Sequence, residues 1–477
     1  MEINKLKTIP NILFIITDQH HFKALSCLGH PVVKTPGIDG IAEDGIIFEN
    51  TYCAAPICGP SRASIYTGEY PGRTQVFTNY ENLSSDLDIL PELLRQAGMQ
   101  TALVGKLHLW PSEKSWGFEY KRFNDSPYDI YKKDEADYSD YITYLVETLG
   151  YARKEIVKRF DDDESSSDRL RFYLGSGVTD EVHHYNTWVA DGSIDFIRNK
   201  RDDKPFFLHV GFFGPHQPMM SPEPWASMYK PEDIELPPQF YAEINDKPIL
   251  EDTHLWRAQE FRDQGWTEET WKKVLAMYYG QVSQIDYHIS RIVSVLKEQK
   301  IYDNTIIIFT ADHGDYNGQF GLLEKGTMYE GSVRVPFIIR DPDFPKGVRR
   351  DRLVNNFDLY RTLLERCGIK VAQDTPSRNL SSVMEGQYRQ WQNVIKAALY
   401  HQTMLRRDNL KLMRKDSGKN GEIHLYEFYD FSDSPSEMIN EYSNPEYRNA
   451  IKEMKKEIDE WHITQNYRIC NCIHSFR

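Results

Sequence analysis

The feature that most constrains this chain is a set of short, unbroken apolar runs, the first being Asn11-Ile12-Leu13-Phe14-Ile15-Ile16-Thr17, stopped by Asp18. A run that is apolar at every position cannot alternate between core and water. It therefore reads as a strand covered on both faces, the condition of parallel sheets. Similar runs recur at Thr101 to Val104, Pro205 to Val210, Thr305 to Thr310 and Pro336 to Arg340. Between them, over Ile89 to Ala97 and Tyr279 to Gln299, apolar residues return every three and four positions, as in helices packed on such a sheet. The expected fold is α/β, a large and mostly parallel sheet sandwiched by helices.

That rhythm changes twice. From about Asn124 to Asp180 the chain is rich in Asp, Tyr, Lys and Ser, with Asp161-Asp162-Asp163-Glu164-Ser165-Ser166-Ser167 at the centre, and it reads as a solvated insertion, with a substrate-shaping lid as the alternative. After a helix over Leu359 to Cys367, the segments Val394 to Tyr400, Thr403 to Met413 and Ile423 to Phe431 read as strands of an antiparallel sheet, followed by a charged helix through Trp461. The expected division is an α/β domain over 1–375 and a smaller α+β subdomain over 376–477.

Composition narrows the partners. The 477 residues include 57 Lys plus Arg against 71 Asp plus Glu, a net charge of -14, and no basic run is interleaved with aromatics, so nucleic acid is excluded as an expected partner. An acidic chain that binds an anion must do so in a local pocket of cations. Six cysteines without a C-x-x-C pair indicate neither a disulfide framework nor a zinc ribbon. The first residues, Met1 to Lys7, lack a leader pattern and no segment reaches membrane-spanning length, so the expectation is a cytoplasmic chain with no membrane partner; a trimmed secreted or periplasmic form would read the same.

Two of the buried runs end in polar pairs, Asp18-Gln19 and Asp312-His313. Ligands in open α/β sheets bind beyond the carboxyl ends of strands, which brings both pairs toward one spot. Two carboxylates, an amide oxygen and an imidazole suit Ca²⁺ or Mg²⁺ better than zinc. Cys58 stands in Ala55-Pro56-Ile57-Cys58-Gly59-Pro60-Ser61-Arg62-Ala63-Ser64, where a turn leads into a helix whose amino terminus favours an oxyanion or thiolate.

Cys58-Gly59-Pro60-Ser61-Arg62, continuing to Thr67-Gly68, resembles the signature of the type I, formylglycine-dependent sulfatases of the alkaline phosphatase superfamily. Val104-Gly105-Lys106-Leu107-His108, Gly214-Pro215-His216-Gln217-Pro218, Ala311-Asp312-His313-Gly314-Asp315 and Leu323-Glu324-Lys325 follow in that family's order, over about Pro10 to Pro345, and Tyr429-Asp430 through Glu437 resembles its carboxyl-terminal motif. The resemblance implies an alkaline phosphatase-like fold and conversion of Cys58 to formylglycine by a formylglycine-generating or anaerobic sulfatase-maturating enzyme. The aldehyde hydrate would attack sulfur, and its second hydroxyl would then expel sulfate.

By the same resemblance, Asp18, Gln19, the residue derived from Cys58, Asp312 and His313 hold one divalent cation, Ca²⁺ with Mg²⁺ or Mn²⁺ as alternatives. Lys106 and Lys325 hold sulfate oxygens, Arg62 orients the hydrate, His216 protonates the leaving alcohol and His108 assists the diol. Arg334 reads as structural, and His20, His21, His183 and His184 have no assigned role. Where many sulfatases carry two acids, Asp18-Gln19 resembles bacterial glycosaminoglycan 2-O-sulfatases, choline sulfatases and phosphonate monoester hydrolases. The expected function is exo-desulfation of a sulfated carbohydrate such as a glycosaminoglycan-derived saccharide. The alternatives are a phosphonate monoester or phosphodiester hydrolase and a non-catalytic sulfated-glycan-binding protein. Phe77 to Tyr80 and Trp110 to Phe123 are candidate pocket walls.

Overall fold

A computed structural model describes residues 9–125, 139–150, 152, 168–175, 179–372, 374–417, 423–432 and 436–465. The main sheet contains β1 (Asn11–Asp18), β2 (Ile46–Tyr52), β3 (Gln100–Gly105), β4 (Tyr120–Phe123), β5 (Phe206–Pro215), β6 (Thr305–Ala311), β7 (Arg334–Val335), β8 (Phe337–Arg340) and β9 (Val348–Asn355). Its order is β4-β3-β5-β1-β6-β8-β2-β7, with β9 beside β2. The five strands from β4 to β6 are mutually parallel, whereas the run at Pro336 to Arg340 becomes β8 and pairs antiparallel with both β6 and β2.

Every residue of β1 is buried, and the strand's period of two sends its side chains into two different cores. Leu13 and Ile15 join α3 (Tyr185–Asn199) and α5 (Glu268–Glu298), through Val189, Leu275 and Ile285. Ile12, Phe14 and Ile16 join α1 (Cys58–Thr67), α2 (Leu90–Gln96) and α6 (Leu359–Arg366), through Ala63, Leu94 and Leu363. This three-layer arrangement is the reason an apolar run could be unbroken. Part of the 124–180 segment is also built into the fold: helix Asp140–Leu149 buries Tyr141, Ile142 and Leu145, while the acidic stretch 161–167 lies outside the described residues.

A second sheet holds β10 (Val394–Leu399), β11 (Gln402–Arg407), β12 (Leu410–Ser417) and β13 (Ile423–Asp430), in that order and antiparallel throughout. The segment Thr403 to Met413 is thus two strands and not one. It folds back at Asp408-Asn409, where Asp408 takes a left-handed φ of 50° that its short polar side chain tolerates. One face of this sheet packs Leu405, Leu412 and Phe428 on α7 (Arg448–Thr464), and the other packs Met404, Met413 and Tyr429 on Tyr52, Ala311 and Tyr329 of the main unit. Lys411 crosses that junction fully buried, its Nζ 2.9 Å from Glu330 and 2.7 Å from Glu437. No helix among the described residues is long and apolar enough to cross a membrane.

Candidate active site

The neighbouring parallel strands β3, β5, β1 and β6 end at one edge of the sheet, in the registers Gly105↔Gly211, Asp18↔Pro215 and Thr17↔Ala311. Strands lie about 4.8 Å apart, so the residues that follow these ends are neighbours whatever their separation in sequence. Lys106 and His108 follow β3, His216 and Gln217 follow β5, Asp18 and Gln19 close β1, and Asp312 and His313 follow β6. Gly105, at φ +89°, allows the turn toward Lys106, since a Cβ there would lie 2.1 Å from the Gly211 carbonyl oxygen.

Cys58 enters from above as the first residue of α1, with every residue of that helix buried. Its Sγ lies 3.1 Å from His313 Nε2 and 3.6 Å from Asp18 Oδ1. A Cβ on Gly59 would come within 3.0 Å of the Thr78 and Asn79 backbone, and the Gly59 N–H donates to Asn79 Oδ1 at 3.0 Å, which explains the small residue after the cysteine. Burial, and then the Asp18 carboxylate, push the Cys58 thiol up to about 12. The helix terminus therefore does not make a thiolate here, contrary to the simple reading of its position.

The charges around this cysteine compensate one another. Arg62 is fully buried and spans both acids, Nε to Asp312 Oδ2 at 2.8 Å and Nη2 to Asp18 Oδ2 at 3.3 Å. Lys106 Nζ meets Asp18 Oδ2 at 2.8 Å. Burial alone would raise the Asp18 pKa, but Lys106 and Arg62 overcome it and hold the carboxyl well below its usual range. Asp18, Cys58, Asp312 and His313 bring ligand atoms within 4.8 Å of one another, all buried. His313 Nδ1 lies 2.9 Å from the Gly314 carbonyl oxygen, which can only accept, so Nδ1 carries the proton and Nε2 presents a lone pair to the cluster. Two carboxylates and one imidazole form a donor set that fits a hard divalent cation.

Gln19 is oriented by three partners. Its Nε2 donates to Gln217 Oε1 and Asp315 Oδ2, both at 2.6 Å, and its Oε1 accepts from Lys325 Nζ at 2.5 Å. These bonds fix which end of the amide is oxygen. Lys325 Nζ is also 2.8 Å from His216 Nε2, and His216 Nδ1 donates to the Gln217 carbonyl at 2.6 Å. His216 is accordingly neutral, its pKa lowered by burial and then by Lys325. His108 adopts φ 58°, and both of its ring nitrogens are buried without a hydrogen-bond partner among the described residues. Burial, and then Lys106, also keep its pKa well below the usual value.

All the residues singled out from the sequence meet here: Asp18, Gln19, Cys58, Arg62, Lys106, His108, His216, Asp312, His313 and Lys325 share one centre. Arg334 is apart from it, 3.3 Å from Glu330 and bonded to the Glu49 carbonyl at 2.5 Å, bracing the turn whose Ser332 carbonyl accepts from the Gly314 N–H. His20 is satisfied by Thr17 and Ala24, His183 lies against Tyr144, and His184 caps α3. Of the aromatic segments, Trp116 and Phe118 are core, whereas Tyr80 is 52% exposed with its ring 6.1 Å from His108. Sequence reasoning passed over Gln217 and Asp315 as holders of Gln19, and Asp125, whose Oδ1 takes the N–H groups of Leu107 and His108. The only signal for Gln217 and Asp315 was their place inside quoted motifs.

The sheet order, with a buried cluster of charged groups at its carboxyl edge, defines the fold class as alkaline phosphatase-like. Within that class, residues 10–369 match the sulfatase family model and residues 318–464 match the model of the N-sulphoglucosamine sulphohydrolase C-terminal region. The chain belongs to the sulfatase family, hydrolases of sulfuric esters. It is 29% identical to an arylsulfatase of Clostridium perfringens, covering 94% of this chain and 93% of that protein. It is 27% identical to an N-acetylglucosamine-6-O-sulfatase of Bacteroides thetaiotaomicron, over 94% of this chain and 86% of that one. Among solved structures, the phosphonate monoester hydrolase of Agrobacterium radiobacter superposes with a TM-score of 0.78 at 23% identity, covering 96% of each chain.

Proposed function

We propose that this protein removes sulfate from a sulfated carbohydrate such as a glycosaminoglycan-derived saccharide, acting at the chain end through a formylglycine hydrate at position 58. The observation that carries the reading is the placement of Cys58, buried at the head of α1 with its Sγ 3.1 Å from His313 Nε2 and 3.6 Å from Asp18 Oδ1. Burial raises its thiol, a poor nucleophile at neutral pH, yet it sits inside a divalent-cation donor set with Lys106 and Lys325 nearby. An aldehyde hydrate at that position supplies two hydroxyls where the thiol supplies an unreactive sulfur, and it requires a maturating enzyme as partner.

Asp18, Gln19, Asp312 and His313 would hold the cation, with calcium favoured by the oxygen donors; when bound, it supplies Lewis-acid chemistry. Arg62 keeps both acids in place and stays with them. Lys106 and Lys325 meet the sulfate oxygens, donors already fixed before charge grows in the transition state. Once the bound anion raises its basicity, His216 Nε2, held by Lys325, takes up a proton from water and delivers it to the leaving alcohol oxygen, and His108 takes the proton from the diol. The family match at N-sulphoglucosamine sulphohydrolase and the N-acetylglucosamine-6-O-sulfatase relative support an amino-sugar substrate.

The test is sulfate release from defined sulfated mono- and disaccharides by protein whose position 58 has been checked by peptide mass. Release from a terminal sulfated sugar is expected. A second reading, phosphonate monoester hydrolysis, is favoured by Gln19 and by the Agrobacterium structure. Converted protein that cleaves aryl phosphonates and releases no sulfate would replace the first reading with the second.

A further inference from the structure

Beside position 58 opens a cavity of about 150 Å³ lined by Ile57, Lys325, His254, Trp256, Tyr400 and Gln402. It is well below the ~300–1,000 Å³ of pockets for drug-sized ligands, on the scale of one sugar ring and not a chain. Four segments distant in sequence build it: Ile57 ahead of α1, α4 (Pro248–Asp263), the loop through Lys325, and the turn joining β10 to β11.

Two side chains spend their donors in parallel on this loop. His254 Nε2 lies 3.2 Å from the Lys325 carbonyl oxygen, and Gln402 Nε2 donates to the Gly326 carbonyl at 3.1 Å. A carbonyl only accepts, so His254 carries its proton on Nε2 and leaves Nδ1 as a bare lone pair. Both His254 Nδ1 and Gln402 Oε1 are buried and have no hydrogen-bond partner among the described residues, in side chains of residues only 8% and 4% exposed. Burial lowers His254 to about 3, so it remains a neutral acceptor at any ordinary assay pH. Buried acceptors without donors are rare in folded proteins, and two on one wall call for a ligand that brings hydrogens.

The rest of the wall is apolar or neutralised. Trp256 is 49% exposed, and Arg257 is paired with Glu324. Tyr400 holds φ 49° in a two-residue turn between the paired Leu399 and Gln402. Such a φ is uncommon for a bulky residue and belongs here to the tight hairpin turn.

We propose that this pocket receives the sugar ring that leaves, and that it selects a neutral ring, bound through hydroxyl or acetamido N–H groups donated to His254 Nδ1 and Gln402 Oε1, against a uronate or a ring with a second sulfate at that edge. This rests on the reading above and narrows its substrate class: two bare acceptors repel an anion and welcome a donor.

The experiment compares kcat/KM on N-acetylglucosamine 6-sulfate, a 2-sulfated uronate disaccharide and an aryl sulfate, for the native protein and for Gln402→Leu and His254→Phe. The expected result is a preference for the amino sugar over the uronate, and in each variant a loss on the amino sugar on the order of 10-fold or more greater than the loss on the aryl sulfate, which reads the effect of releasing the Lys325 loop alone. Equal losses on sugar and aryl substrates would assign these residues to bracing Lys325 and overturn the proposal, as would a preference for the uronate. A binding arm is independent of turnover: ligand-observed NMR with unsulfated N-acetylglucosamine and with glucuronate. Contact with the neutral sugar alone, lost in Gln402→Leu, supports the pocket even if the sulfate-release reading fails; contact with neither or with glucuronate overturns it.

Discussion

At the carboxyl edge of the main sheet Asp18, Arg62, Lys106 and Asp312 answer one another's charges in a buried cluster, while behind Lys325 the side chains of His254 and Gln402 carry acceptors that no group among the described residues meets. On the proposed reading, the first region belongs to the bond that breaks and the second to the alcohol that departs. A reacting centre gains from preorganised charge, since its donors must be in place before the transition state forms. A specificity pocket gains from unmet hydrogen bonds, since these penalise the wrong guest.

The comparison fails first at position 58 if it fails at all. Cys58→Ala is expected to remove about 10⁴-fold or more of the sulfatase rate on sugar and aryl substrates alike, with the melting temperature little changed, as measured by sulfate release and calorimetry. Lys106→Ala leaves Asp18 buried without its 2.8 Å partner. Breaking such a pair costs about 3–5 kcal/mol of stability, visible in a denaturant midpoint, and the rate loss should again be equal across substrates. An effect confined to the sugar would dissolve the boundary between the two regions.

Glu324 sits on that boundary, bonded to Arg257 on the pocket side and followed by Lys325 on the anion side. Burial alone would raise its pKa, but Arg257 and Lys325 draw it down to about 2 from 4.5. A depressed carboxyl stabilises the fold fully above its unfolded pKa and loses that contribution as pH falls toward the folded value. In Glu324→Gln the acid loss of stability between pH 4.5 and 2 should shrink by about 3 kcal/mol, read from denaturant melts across that window. The smallest expected effect is that of the cation: added Ca²⁺ at about 100 times its dissociation constant should stabilise the native protein by about 2.7 kcal/mol, and a chelator should reverse it. Asp312→Asn should abolish that shift.

The unequal legibility of the two regions follows from their construction. Asp18 and Asp312 could be read because each ends an apolar run, and parallel neighbours bring strand ends together however far apart in sequence. Lys106, His216 and Lys325 could be read only through motif resemblance, since a lone lysine or histidine after a strand carries no spacing signal. The fold was legible wherever burial was two-sided, and less so in the small sheet, where Asp408-Asn409 makes a turn without glycine or proline and two strands read as one. His254, Tyr400 and Gln402 were not legible at all. They come from a helix and a hairpin with no shared period, and what makes them a site is a pair of lone pairs, a property of geometry and not of residue order.

The buried Lys411, clasped by Glu330 and Glu437, has a consequence for how such an enzyme can diversify. It fastens the small sheet to the catalytic half, so the β10–β11 turn that carries Tyr400 and leads into Gln402 stands on a rigid mount. On the proposed reading, substitutions at that turn would change the alcohol recognised without disturbing the buried acids and cations at the sheet edge.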